Sequence, residues 1–152
     1  MTIPKWIRES NLIEGVNDPA ADLVCLKAWR WFLKQPMSLE TILELHKRIM
    51  KDRLNPAYVG VWRPVDVTVG GRLCPPWEEV PYLIKDWLFR HGTASSMAQA
   101  IIAHVAFENV HPFVDGNGRV GRMIMNWQRH FAYLEPADIT YHDRWEYYGW
   151  FK

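Results

Sequence analysis

The sequence predicts an all-α domain, a helical bundle around a central helix–loop–helix, with one small β-hairpin beside it. Three observations carry that prediction. Apolar residues recur at three- and four-residue spacing in several separate stretches, the pattern of amphipathic helices. The one alternating stretch, Val65-Asp66-Val67-Thr68-Val69, runs straight into Gly70-Gly71 and is long enough only for a hairpin. A glycine-rich segment from His111 to Arg122 lies between two helical patterns and joins them.

Composition sets the frame. A chain of 152 residues, 49% apolar, suits a single folded domain over 1–152 that buries roughly two-thirds of its unfolded surface. A formal net charge of +1 argues against a general nucleic-acid or membrane binder and leaves room for a local basic pocket. Cys25 and Cys74 lack metal-ligand spacing and read as buried free thiols in a reducing compartment. Residues 1–10 carry no signal-peptide core, and no stretch approaches a membrane span, so a cytoplasmic protein is expected.

The elements follow in order. Ser10 and Glu14 are four apart and share a face if their segment is helical, with Gly15 suited to the cap that ends it. Asp18-Pro19 starts a helix that should run to about Lys34, with Leu23, Leu26 and Leu33 on its apolar face. Ser38 opens the next, where Leu39, Ile42, Leu43, His46, Ile49 and Met50 share a stripe; His46 reads as a satisfied core or groove histidine. Pro56, Gly60 and Pro64 break helix before the hairpin, at about 60–74. Val80, Leu83, Ile84, Trp87 and Leu88 form a helical stripe that Gly92 stops. Ser95 or Ser96 caps the following helix. Its apolar residues, Met97, Ala98, Ile101, Ile102, Val105 and Ala106, run around much of its circumference, so it should be a central buried helix. His104 on it reads as a hydrogen-bonded structural histidine, and Glu108 either is structural or orients the loop that follows. Beyond Pro136, Asp143 to Trp150 predicts a last short aromatic helix, which leaves room for contact with a second copy of the chain.

The chemistry concentrates in His111-Pro112-Phe113-Val114-Asp115-Gly116-Asn117-Gly118-Arg119-Val120-Gly121-Arg122. Val120, Ile124, Trp127 and Phe131 place a helix start near Asn117 or Gly118. Its first N–H groups lack internal partners, and the glycines let a ligand approach the backbone, which together make an anion site. Arg119 and Arg122, three apart, are either solvated and paired with acidic neighbours or are guanidinium forks for phosphate. Asp115 is either a turn or cap residue or a magnesium ligand. His111, held extended by Pro112, should end the preceding helix and leave an imidazole available as a base near neutral pH.

This stretch resembles the signature of Fic-domain proteins, His-x-Phe-x-(Asp/Glu)-Gly-Asn-Gly-Arg-x-x-Arg, at every fixed position. Ser10-Asn11-Leu12-Ile13-Glu14-Gly15 likewise resembles that family's inhibitory motif, (Ser/Thr)-x-x-x-Glu-(Gly/Asn). The resemblance implies a Fic fold, with an inhibitory helix in 1–16, a flap hairpin, and a helix–loop–helix core over 95–134. It implies a protein adenylyltransferase that moves AMP from ATP to a hydroxyl side chain of a target protein docked along the flap. His111 would be the base and Asp115 would hold Mg2+. Gly116, Asn117 and Gly118 would form the anion loop, and Arg119 and Arg122 would hold the distal phosphates. Glu14 would pair with Arg122 and inhibit in cis, with Ser10 part of the same motif. Two other expectations stand beside it: an enzyme that removes AMP using Glu14, and a nucleotide-binding regulatory protein without turnover.

Overall fold

The computed structural model describes residues 2–152. Seven α-helices follow one another among them: α1 (Lys5–Ile13), α2 (Pro19–Phe32), α3 (Leu39–Met50), α4 (Val80–His91), α5 (Met97–Val110), α6 (Asn117–Phe131) and α7 (Arg144–Tyr148). Strands β1 (Thr68–Val69) and β2 (Arg72–Leu73) lie between α3 and α4 and pair antiparallel, Thr68 opposite Leu73 and Val69 opposite Arg72.

The helix starts are set by their caps. Asp18 accepts from Ala20 N–H at 2.9 Å, and Pro19 needs no donor at the first helical position. Ser38 accepts from Thr41 N–H at 3.1 Å and Ser96 from Gln99 N–H at 3.2 Å, so Ser96, not Ser95, is the cap of α5. α1 ends where expected: Gly15 takes φ +74°, the left-handed step that terminates a helix cheaply only with glycine.

The bundle is centred on α6. α5, α1 and α3 all pack on it, with α2 against α3 and α4 against α5. Phe32, Ile42, Leu45, Met50, Ile84, Phe107, Phe113 and Val120 are fully buried in the resulting core. Trp29 closes one end, its ring 5.0 Å from Trp6 in an edge-to-face contact.

Three expectations need correction. The central buried helix is α6 rather than α5. α5 turns Ala100, Ala103, His104 and Phe107 inward and leaves Met97 and Ile102 more than half exposed. A helix apolar all round has no periodicity from which to choose its buried face. On α6 the arginines, asparagines and glutamine that look solvated in sequence are buried together with its apolar residues. The hairpin is shorter than 60–74, because only two residues on each side form the ladder. Leu23 and Phe131, assigned to apolar faces, lie at the surface.

Candidate active site

The segment His111 to Asn117 is fixed from within before any ligand is considered. Asn117 accepts from Phe113 N–H at 2.8 Å through Oδ1 and donates to Phe113 C=O at 2.9 Å through Nδ2, which closes the loop on itself. Its side chain is thereby turned inward, and only its main chain is left to face an anion. Phe113 is fully buried and stacks on His46, with ring centroids 3.8 Å apart and planes 9° from parallel. His46 Nδ1 accepts from Gly60 N–H at 3.0 Å, so Nε2 carries the proton and donates to Asp115 C=O at 2.8 Å. Burial pushes the His46 imidazole below its ordinary pKa, which keeps this neutral tautomer. Gly116 sits at φ +88°, and a Cβ there would come within 2.9 Å of the Met50 side chain. Only glycine meets both demands.

The start of α6 presents bare backbone donors. No side chain caps it, so the N–H groups of the first turn point outward with the positive end of the helix dipole. The Glu14 carboxylate fills that place. It lies so close over Gly118 that Glu14 Oε1 and Arg122 Nη1 would obstruct any side chain there.

Arg122 is almost wholly buried and uses its full fork. Nε donates to Ser10 Oγ at 2.8 Å, Nη2 to Ser10 C=O at 3.0 Å and to Glu14 Oε1 at 2.5 Å, and Nη1 to Tyr147 Oη at 3.2 Å. Burial works against its charge, but Tyr147, Glu14 and Glu108 outweigh that and raise its pKa. The pairing of Glu14 with Arg122 expected from sequence is therefore present. Arg119 is also buried, with Nε unpartnered, and its charge is felt at His46 and Cys25 on the other side of the helix. The two arginines thus diverge rather than forming one fork.

His111 ends α5 as expected but not in the extended form that Pro112 favours: it caps the helix in the left-handed conformation, φ 52° and ψ 64°, its N–H still bonded to Phe107 C=O, which is unusual for a residue with a side chain. Its imidazole lines a cleft of about 180 Å3 together with Glu14, Glu108, Gly118, Arg122 and Tyr147. Burial lowers its pKa, while a hydrogen bond to the Glu108 carbonyl acts the other way. The ring is therefore neutral at physiological pH and able to accept a proton. A wider groove of about 670 Å3 shares Glu14, Val69, Arg72, Tyr148 and Phe151 with the cleft and runs under the hairpin.

Asp115 is exposed on the outer side of the loop, where its Oδ1 accepts from Gly116 N–H at 2.7 Å. Among the described residues no group of three His, Cys, Asp or Glu could hold a metal ion. A magnesium ion at Asp115 would take the rest of its ligands from phosphate oxygens and water, the usual composition of such sites.

Sequence reasoning missed two residues of the site and underrated a third. Tyr147, from α7, joins Arg122 to His104, whose Nε2 lies 2.7 Å from Tyr147 Oη. Arg63, from the loop before the hairpin, is 1% exposed and donates to four carbonyls around the stem of the flap. His46 was recognised as satisfied but not as a support of the loop. Glu108 is half-buried, with Oε1 shielded from solvent and unpartnered against Gly121, and desolvation raises its pKa to about 8. Both cysteines are free and buried. No helix among the described residues is long and apolar enough to cross a membrane.

Fold and site define a helical bundle whose central helix begins uncapped on a glycine-rich loop, with a histidine at the loop's other end and a hairpin over the mouth. Residues 36–128 match the model of the Fic/DOC family, and the chain belongs to that family. It is 34% identical over 124 residues to a protein adenylyltransferase Fic of Drosophila virilis and 33% identical over 124 residues to that of Drosophila willistoni. Each alignment covers 78% of this chain but only 25% of the relative, so the chain spans about a quarter of those proteins' length. Among solved structures, Fic-1 (aa134–508) of C. elegans superposes with TM-score 0.76 at 24% identity, covering 95% of this chain and 52% of that one. A Fic domain containing signaling protein from Bacteroides thetaiotaomicron superposes with TM-score 0.75 at 21% identity, covering 95% and 68%. These likenesses establish the Fic fold.

Proposed function

We propose that this chain is a single Fic domain that transfers AMP from ATP to a hydroxyl side chain of a target protein, and that Glu14 restrains it in cis. The observation that carries this reading is that His111, Gly118 at the start of α6, and Arg122 line one cleft. The names of the relatives support the choice of AMP as the group transferred.

His111 Nε2 or Nδ1 takes the proton of the target hydroxyl as its oxygen attacks the α-phosphorus of ATP. A P–O bond to the target forms, the bond to the β-phosphate oxygen breaks, and pyrophosphate leaves. The N–H groups of Asn117, Gly118 and Arg119 stabilise the charge that develops on the phosphate oxygens. Asp115 would hold a magnesium ion, whose charge would offset that of the phosphates. The target lies along β1 and β2 and pairs through its backbone, which tolerates many sequences.

Arg122 reaches the distal phosphates only when Glu14 and Ser10 release it. The carboxylate occupies the fork that a phosphate oxygen would take. The motif precedes the signature in the same chain, so the brake needs no separate partner. A second reading, removal of AMP, is favoured by the position of Glu14 in the cleft beside His111, where a carboxylate could hold a water.

The test is transfer of label from α-labelled ATP with magnesium, using self-modification as readout, for wild type, Glu14→Gly and His111→Ala. Glu14→Gly should label more strongly than wild type. His111→Ala in that background should lose about 100- to 10,000-fold, the usual worth of a general base. Unchanged labelling without His111 would sink the reading. Loss of AMP from a pre-modified target by wild type, abolished in Glu14→Gly, would favour the second one.

A further inference from the structure

Arg63 stands out among the buried groups that the chemistry above does not use. It lies outside the signature, in the loop that leads into the hairpin. A wholly buried arginine ordinarily has a carboxylate partner, because a lone cation is costly to desolvate. Here the hydrogen-bond acceptors are carbonyls. Nε donates to His111 C=O at 2.7 Å, Nη1 to Val65 C=O at 3.0 Å, and Nη2 to Pro75 C=O at 2.6 Å and Val110 C=O at 3.3 Å. Its own N–H donates to Pro112 C=O at 2.9 Å. One side chain thus grips both ends of the flap stem, at Val65 and Pro75, and with its backbone it holds three consecutive carbonyls, those of Val110, His111 and Pro112.

Those three carbonyls surround the residue with the least comfortable backbone in the site. His111 has φ 52°, in a region that a residue with a side chain enters at a cost of about 1–3 kcal/mol unless its surroundings hold it there. The shortest Arg63 bond to the loop ends on that residue's own carbonyl. Released from it, the turn would relax and the imidazole would swing with it.

We propose that Arg63 is a positioning residue: its guanidinium holds His111 in the left-handed turn that aims the imidazole into the cleft, and couples that aim to the seat of the flap. The inference rests on His111 being the base. The Arg63 cation also lowers the pKa of the His111 ring, after burial, the largest influence, and against the Glu108 carbonyl. The charged groups that bear on that ring are Arg63 and Arg72 on either side of β1 and Glu14 after α1, while Arg122 on α6 and the Glu108 carboxyl, which burial keeps protonated, line the same cleft. Only Arg63 both bonds the residue and charges its surroundings.

The test compares Arg63→Lys, which keeps the cation and loses the fork, with Arg63→Met, which loses both, each in the Glu14→Gly chain. Per folded molecule, Arg63→Lys should lower kcat about 10- to 100-fold with KM for ATP within about twofold, the scale of a base displaced by about 1 Å. Its acid limb should stay in place. Arg63→Met should lose as much and also move the His111 titration to higher pH, read by NMR whether or not AMP is transferred. That readout separates failure of this inference from failure of the transfer reading. A merely structural Arg63 would lower the melting temperature of both variants and leave the titration and the activity per folded molecule unchanged, which would overturn the proposal. If neither variant folds, wild type decides it. The Arg63 Nε–H should exchange slowly and show a hydrogen-bond coupling to the His111 carbonyl carbon. Exchange as fast as that of a solvent-exposed arginine would refute it.

Discussion

The two walls of the cleft are held in opposite ways. On the α1 side, Arg122 is fixed by the side chains of Ser10, Glu14 and Tyr147 and by the Ser10 carbonyl. On the flap side, β1 and β2 meet over two residues each. Their side chains are exposed, Leu73 at 67%, and the Gly70-Gly71 turn takes positive φ at both positions, as the twist of a tight hairpin requires. One wall is specific to this sequence and the other is nearly indifferent to it. On the proposed function, that difference suits a site in which an inhibitory carboxylate recognises one fork while the flap accepts a target's backbone.

The strongest way to break the comparison is Tyr147→Phe. The hydroxyl lies against His104 Nε2 at 2.7 Å and accepts from Arg122 Nη1 at 3.2 Å, all in the interior. Removing it strands one buried histidine nitrogen and weakens the hold on a buried cation. A loss of about 2–3 kcal/mol in unfolding free energy is expected, measured by urea titration. The flap amides should keep their hydrogen exchange rates. A flap loosened to the same degree would show that the two walls are one unit.

A subtler probe of the same wall is its pH dependence. Burial raises the Glu108 pKa from 4.5 to about 8, so the folded state holds a proton that the unfolded chain gives up. The stability this contributes is complete below pH 4.5 and is lost as pH rises towards about 8. His104 acts with the opposite sign: burial lowers its pKa from 6.5 to about 3, and its contribution is complete above pH 6.5 and lost as pH falls towards about 3. Glu108→Gln should therefore flatten the decline in melting temperature between pH 6.5 and 8 and leave the acid decline intact. An unchanged slope above pH 6.5 would show that Glu108 is ionised in the folded protein.

The comparison also shows which parts of the molecule were legible in the sequence. Caps at Asp18 and Ser38, the α5 cap to within Ser95 or Ser96, the Gly15 stop, the glycine-rich loop before α6 and the Glu14–Arg122 pair could be read, because each is local or belongs to a compact motif. The supports of the site could not. Arg63 sits between Trp62 and Pro64 in a segment that reads as a surface loop, and nothing in its neighbours announces a side chain turned inward to bond four carbonyls. Tyr147 reaches Arg122 from 25 residues further along, in an aromatic run where any of several rings might have served. The burial of α6 escaped notice because several of its polar side chains find tertiary partners that a single sequence does not display. Gln128, for example, donates to His91 C=O at 2.6 Å.

The smallest expected effect lies on the flap. Leu73→Ser changes a side chain that is two-thirds exposed and leaves the ladder between Thr68–Val69 and Arg72–Leu73 in place. Unfolding free energy should move by no more than about 0.5 kcal/mol. The Arg122 network, on the far side of the cleft, should be untouched, so ATP binding in the Glu14→Gly chain should not change. If the proposed docking is correct, KM for a target protein should rise by no more than about tenfold, since one apolar contact is lost and the backbone pairing is kept. A large fall in kcat with KM unchanged would contradict that division of labour. The flap would then be acting on His111 through the stem that Arg63 holds, rather than simply offering an edge to the target.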